Sequence, residues 1–163
     1  MTTSSEFKSG MRRLVSGVSL ITTAYGGNKF GTIVTSVTSV SAEPPTLLMC
    51  LNHANSCHDA VMKSGVFCVN LLPRNAEDLS VRFATPKDRD QRFNTGHWMN
   101  VVTGAPVLEE ATASFDCRVK SHFTANSHTI FVGEVEHVRL REEMAPLVYG
   151  NGSYGDFAPA FSS

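Results

Sequence analysis

Apolar positions along this chain fall mainly into short runs with a strand period, divided by turn residues, and few stretches keep a helical spacing. Near the start, Phe7, Met11, Leu14 and Val15 lie four, seven and eight residues apart, which predicts one helical face capped by Ser4 or Ser5. Residues 18–24 are apolar and β-branched and predict a strand. Tyr25-Gly26-Gly27-Asn28-Lys29 predicts a hairpin turn, and residues 30–40 predict a long strand that bends at Ser36 or Ser39. Glu43-Pro44-Pro45 ends that strand. Residues 46–51 are nearly all apolar and predict a strand buried on both sides.

A helix is then expected from Ser56 as N-cap, with Asp59 three residues on, and Gly65 as its stop. Residues 66–72 predict a strand stopped by Pro73. Asn75 predicts the cap of another helix, with Glu77 and Asp78 in its first turn and Leu79 and Phe83 on its inner face. Residues 87–104 are charged and irregular and read as a surface excursion. Two long strands are predicted at 113–123 and 129–140, and a short last one at 146–149. The tail from Gly150 is rich in glycine and reads as adaptable. Strands joined by turns and short helices predict a mostly β, antiparallel fold, closed or partly closed as a barrel with peripheral α-helices.

Composition narrows the classes. With 163 residues, 42% hydrophobic and 18% charged, the chain reads as a single globular domain spanning 1–163, with its core at about 7–157. The net charge of −1 recommends neither nucleic acid nor an anionic membrane as a partner. No apolar run reaches the roughly 20 residues of a membrane span, and the N-terminus lacks the apolar stretch of a signal peptide, so a cytoplasmic protein is expected. The cysteines are Cys50, Cys57, Cys68 and Cys117, with no Cys-x-x-Cys pair. Reduced thiols are expected, with Cys50, Cys68 and Cys117 acting as small buried hydrophobes. No histidines stand at a metal-ligand spacing, so no metal site is expected, and His53, His97, His122 and His137 read as surface or structural groups.

The candidate chemistry lies between residues 31 and 59. Thr32, Thr35, Ser36, Thr38, Ser39 and Ser41 crowd one strand and its end. That density suits a ligand with many oxygens, although a solvated strand face would also use these β-favouring residues. The helix start at Ser56 leaves amides unpaired, where an anion is favoured, although Ser56 also serves as a plain cap. His58 reads as a shield for such an anion.

With these residues in view, the chain resembles the short-chain flavin reductases, which supply reduced flavin to two-component monooxygenases. The matching stretches are the run from Gly31 to Ser41, Pro44-Pro45, Cys50-Leu51-Asn52, Ser56-Cys57-His58-Asp59 and the run from Phe67 to Leu72. Arg82-Phe83-Ala84, the run from His128 to Val135, the run from Pro146 to Tyr149, and Tyr154-Gly155 complete them. The resemblance implies an FMN-binding Greek-key split barrel, working as a homodimer with flavin near the subunit interface. It implies FMN or FAD as flavin and NADH or NADPH as hydride donor. Thr35, Ser36, Ser39, Val40 and Ser41 would line the flavin ring and ribityl chain, with Cys50 and Asn52 beside it. Ser56 and Cys57 would hold the phosphate, with Arg82 as counter-charge and Phe83 adjacent. His128 would be the catalytic residue at the nicotinamide, and Tyr154 would lie at the same mouth. The family usually carries Thr at the position of Cys57 and often an acidic residue at Ser127. From these follow two expectations: Cys57 reacts faster without flavin than with it, and His128 lacks a neighbouring carboxylate. The implied activity is hydride transfer from NAD(P)H to flavin, with a monooxygenase partner fed by diffusing reduced flavin. Bound flavin passing electrons to a corrinoid cobalt or ferric chelate, or a flavin-binding module without turnover, are the alternatives.

Overall fold

The computed structural model describes residues 1–87, 89–142 and 145–160. Its elements are α1 (Ser4–Met11), β1 (Ser16–Gly17), β2 (Ser19–Tyr25), β3 (Asn28–Val34), β4 (Val37–Ala42), β5 (Pro45–Asn52), α2 (Ser56–Ser64) and β6 (Val66–Leu71). There follow α3 (Glu77–Ala84), a 3-10 turn (Arg89–Asn94), β7 (Trp98–Met99), β8 (Val107–Leu108), β9 (Ala113–Ala125), β10 (His128–Leu140), β11 (Leu147–Gly150) and β12 (Ser153–Asp156).

The main sheet has seven strands in the order β3-β2-β6-β9-β10-β5-β4, every neighbouring pair antiparallel. β3 and β4 are therefore opposite edges of the sheet, yet only Thr35 and Ser36 separate them in sequence. Two residues reach at most about 10 Å from strand to strand. The sheet must curl until its edges nearly meet, which makes a barrel split along one seam. Here the expected strand at 30–40 breaks in two. On the β4 side of the seam the β4–β5 ladder runs on by one rung: the Cys50 amide donates to the Ser36 carbonyl at 3.3 Å, and the Ser36 hydroxyl donates to the Cys50 carbonyl at 3.2 Å.

Inward-facing residues alternate along the strands, as the pleat requires. Leu47, Met49 and Leu51 of β5 meet Phe67, Val69, Cys117 and Phe131, and α2 adds Cys57 and Val61 to the same cluster. The other face of β5, with Leu48 and Cys50, is only half-buried, so the expectation of burial on both sides holds for one face alone. Gly133 lets the barrel pack tightly: a Cβ there would stand 2.5 Å from the Phe67 ring.

Residues 87–104 do not form a loose excursion. Phe93 stacks on Trp98 at 4.7 Å and on Phe83 at 5.2 Å, and Arg92 is buried. Two buried polar side chains clamp the segment and its continuation to the barrel. Asp116 accepts the Val102 and Thr103 amides at 3.0 and 2.8 Å, and Asn70 accepts the Leu108 amide at 2.8 Å. Asn70 also donates to the Leu20 carbonyl, so neither end of its amide is unmatched. The segment covers the outer side of β6, which explains why that strand is buried on both faces.

Three helix caps differ from expectation. Thr3, not Ser4 or Ser5, caps α1 through a capping box with Glu6. Asn55, not Ser56, caps α2. α3 starts after Ala76 with no side-chain cap, so Asn75 does not serve as one. The tail is more ordered than its glycines suggest: β12 pairs with β11, and β1 completes a small three-stranded sheet. Cys68 and Cys117 are buried as expected, Cys50 is half-buried, and all four thiols are free.

Gly133→Ala should destabilise the fold by about 1–3 kcal/mol, because Phe67 has no empty space to retreat into. Chemical denaturation followed by Trp98 fluorescence measures it, and an unchanged midpoint would contradict the close approach.

Candidate active site

The split between β3 and β4 opens onto a cavity of about 490 Å³. Among the residues expected at the site, Thr35, Ser36, Cys50, Asn52, His128 and Tyr154 line it together. Asn52 and His128 stand directly opposite each other at the end of the β5–β10 ladder. The Ser127 hydroxyl lies 2.9 Å from His128 Nδ1, and among the described residues no carboxylate bonds to that ring. The Tyr154 hydroxyl is tied to Ser80 at 2.9 Å, and its ring packs edge-on against Tyr149, which also lines the cavity.

A second cavity of about 280 Å³ continues from the first. The two share Thr32, Asn52, Asn55 and Ala84. Ser56 and Phe83 line this extension, with Arg89 and Arg92. The start of α2 therefore does face the same groove as the Thr/Ser segment. Its polar wiring centres on Asn55: the side-chain oxygen accepts the Cys57 amide at 2.9 Å, and the side-chain nitrogen donates to Thr32 at 2.7 Å. The Asn55 carbonyl accepts the His58 amide at 2.9 Å. Ser56 is thus the first-turn amide that Asn55 leaves available.

Arg92 is the unusual group here. Its side chain packs inside with the residue only 7% exposed, and among the described residues it has no carboxylate partner and its Nε has no acceptor. Its terminal nitrogens donate to the carbonyls of Gly31 and Thr85. Desolvation, followed by the nearby Arg89 charge, lowers its pKa. A buried cation without a counter-charge, beside a helix start, fits an anionic group well.

Several expected residues lie elsewhere. Ser39 and Ser41 line a different groove of about 500 Å³, with Thr38, Val37 and Val138; Thr35 is its only residue shared with the first cavity. The register shift between Ser39 and Ser41 separates this end of β4 from the seam. Val40 is 54% exposed and lines neither cavity of the groove. Arg82 is exposed on the outer side of α3, because Phe83 takes the inner face, and Arg89 and Arg92 supply the positive charge instead.

Cys57 is a correction. Its side chain is fully buried in the barrel core, and burial pushes its thiol up to about 12. It cannot offer a side-chain donor to a phosphate. His58 also turns inward: Nε2 meets the Thr129 hydroxyl at 2.9 Å, and Nδ1 meets Asp59 at 2.9 Å. It therefore shields no anion. The hydrogen bond from His58 holds the Asp59 carboxyl below its ordinary range. His53 reaches the same Thr129 hydroxyl at 3.1 Å. His97 pairs with Glu110 on the surface, and donating a hydrogen bond to the Glu110 carboxylate raises its pKa.

The sequence reading missed Asn55, Arg89 and Arg92. Asn55 carried a usable signal, since Asn ranks with Ser as an N-cap and stands immediately before it. The arginines lay in a segment whose polarity masked its packing.

Comparison with known proteins places the chain in a family. The flavin reductase like domain matches residues 11–158, and the chain belongs to that family. The FMN reductase (NADH) RutF of Pseudomonas syringae is 38% identical, over 91% of this chain and 83% of its own length. RutF 2 of Rhizobium rhizogenes is 39% identical, over 91% and 86%. Among solved structures, a flavin reductase of Haemophilus somnus superposes with a TM-score of 0.93 at 31% identity, covering 96% of this chain and 100% of that one. The NADH:FAD oxidoreductase SgcE6 of Streptomyces globisporus, solved with NAD and FAD fragments, gives 0.90 at 25%, covering 97% and 94%. BorF, the flavin reductase component of a bacterial two-component tryptophan halogenase, gives 0.87 at 26%, covering 96% and 99%. The mostly β split barrel read from the sequence is the fold of this family.

Native protein at pH 8 should leave Cys57 unmodified by iodoacetamide, equally with and without added flavin, while the unfolded chain reacts. Mass spectrometry of the Cys57 peptide decides this, and labelling of the native protein would refute the buried thiol. Because the folded pKa is raised, the thiol's support of the fold is complete below about pH 9 and declines as pH rises toward 12.

Proposed function

We propose that this protein is an NADH-dependent flavin reductase that passes hydride to FMN or FAD and releases reduced flavin to an oxygenase-type partner. One observation carries the reading: a single groove runs from His128 and Asn52 at one end to Ser56 and the buried Arg92 at the other. Its length and its cationic end suit a flavin with its phosphate. The names of the RutF relatives support NADH as donor, and those of SgcE6 and BorF support a reductase that serves another component.

When bound, flavin supplies the hydride acceptor at its ring. The chain's residues have four tasks. Ser56 N–H and Arg92 hold the phosphate, where the helix dipole adds to the attraction. Thr35 and Asn52 orient the ring edge, while the Ser36 hydroxyl is held by Cys50 and shapes the wall. Tyr149 and Tyr154 exclude water from one side of the cavity. His128 donates to or accepts from the nicotinamide carboxamide, with Ser127 on its other nitrogen. The cofactors carry the chemistry, so no strong general base is required. No helix among the described residues is long and apolar enough to cross a membrane, and we place the reaction in the cytoplasm.

We also infer a homodimer. α1 buries none of its residues: Phe7 and Met11 on it are 63% and 48% exposed, and Leu14 and Val15 in the segment just after it are 60% and 63% exposed. An isolated eight-residue helix is unstable in water, so this apolar face needs a cover. A second copy of the chain is the simplest one, and it would border the flavin groove, since α1 shares a cavity with Thr35 and Tyr149.

Purified protein should consume NADH when FMN or FAD is added, followed by loss of absorbance; no turnover with either flavin would remove the reductase reading. His128→Ala should raise KM for NADH about tenfold, the worth of one hydrogen bond, with flavin affinity intact. Light scattering should give twice 17.7 kDa. Phe7→Asp with Met11→Asp should shift that mass to the monomer, and a monomeric wild type would refute the dimer.

A further inference from the structure

The C-terminal hairpin gives the first cavity two rings of its wall, Tyr149 on β11 and Tyr154 on β12. It stands outside the seven-stranded sheet. β11 is held at its base, where the Leu147 amide donates to the Leu72 carbonyl at 2.8 Å and the Leu147 carbonyl accepts the Val18 amide at 2.9 Å. The turn is held at its tip, where the Asn151 amide donates to the Arg12 carbonyl at 2.6 Å. β12 is the edge strand of its small sheet and ladders with β11 alone. Among the described residues, backbone hydrogen bonds therefore leave the strand that carries Tyr154 untied to the barrel.

One side-chain bond ties it. The Tyr154 hydroxyl is hydrogen-bonded to the Ser80 hydroxyl on α3, with the oxygens 2.9 Å apart. Among the described residues, no other side chain of β11 or β12 makes a hydrogen bond. Ser80 is fully buried, although serine is ordinarily a surface residue. A buried hydroxyl needs a partner, and Tyr154 is the one Ser80 has.

The seam sets the position of Ser80. Phe83 lies three residues on and is buried on the same inner face of α3. It meets Gly31 of β3 so closely that a Cβ there would stand 2.6 Å from its ring. α3 is thus registered against β3, and Ser80 passes that register to Tyr154. The Tyr154 ring also rests on the apolar cluster of Phe83, Leu108 and Leu147. Apolar contact has no direction, whereas a hydrogen bond does.

We propose that Ser80 is a positioning residue for hydride transfer: acting through Tyr154, it keeps the wall of the ring cavity in one place while hydride passes. The inference rests on the flavin reductase reading and adds to it a residue that lines neither cavity of the groove. Without the Ser80 hydroxyl, the Tyr154 ring slides on its apolar bed. Alignment at the ring end is lost, while the contacts at Ser56 and Arg92 remain. Lost alignment is read in rate before it is read in affinity.

The rate of flavin reduction by NADH in a single turnover reads the step, and a fluorescence titration reads flavin affinity. Ser80→Ala should slow reduction about fivefold, the worth of one hydrogen bond, and leave the Kd of FMN and FAD within about twofold. Tyr154→Phe removes the same bond from its half-buried end, keeps the ring, and should slow reduction by the same factor. The double variant should be no slower than either single one, because both lose one shared bond. Full-speed reduction in either single variant would overturn the inference, as would losses that multiply in the double variant. A lower denaturation midpoint with rate and flavin affinity falling together would make the bond a structural one, and would overturn it too. In each of these cases the wild type still reduces flavin and the reductase reading stands. A wild type that reduces neither flavin removes both.

Discussion

The two-residue link between β3 and β4 is the constraint on which the rest depends. It joins strands that lie at opposite edges of the seven-stranded sheet, so the sheet closes upon itself and leaves one seam. That seam cannot be zipped by a full ladder of hydrogen bonds, because Thr35 and Ser36 turn the chain there. The Ser36–Cys50 pair holds its β4 side to β5. The result is an opening lined by short polar side chains and backed by a dry core of Met49, Phe67 and Phe131. A planar ligand with an oxygen-rich edge matches such a slot, whereas a fully closed barrel of this size would fill with its own side chains.

Much of this was legible in the chain, for reasons that differ by element. The hairpin at Gly26-Gly27 was plain because both glycines take positive φ, at 60° and 79°. β9 and β10 were plain because stretches of alternating apolar and polar residues flank a polar turn. The break at Thr35–Ser36 was half legible: the Thr/Ser density signalled function, while the strand periodicity ran straight through it. What the chain alone does not reveal is which of two adjacent cap formers faces inward. Asn55 and Ser56 have similar propensities, and the choice is made by Thr32, which takes the Asn55 amide. Cys57 misled for a related reason. Adjacent to a helix start, it read as an activated thiol, yet the helix rotation that frees Ser56 turns the next side chain into the barrel.

The cationic end was hidden by composition. Residues 87–104 are rich in charge, which ordinarily marks solvated loops, and Arg82 drew attention through its match to a family motif. Arg82 lies outward because α3 is held by Phe83 against Gly31, where a Cβ would stand 2.6 Å from the ring. That contact turns Arg82 outward and leaves room for Arg92 to fold in beneath it, with its guanidinium on the Gly31 and Thr85 carbonyls. A buried arginine satisfied mainly by carbonyls has no resident carboxylate, among the described residues, to neutralise it.

The two ends of the groove are linked through one hydroxyl. Thr129 points inward because its neighbour His128 points outward, as alternation along a strand demands. Its hydroxyl is held by His58, from the first turn of α2, and by His53, from the loop before it. A hydroxyl has one proton and two lone pairs, so it donates to at most one of the two rings and accepts from the other. This fixes the strand carrying His128 against the helix carrying Ser56. The spacing between the two ends of the groove is then set by a buried network and not by mobile side chains. Alignment of two rings for hydride transfer asks for such rigidity, because small displacements are expensive in rate.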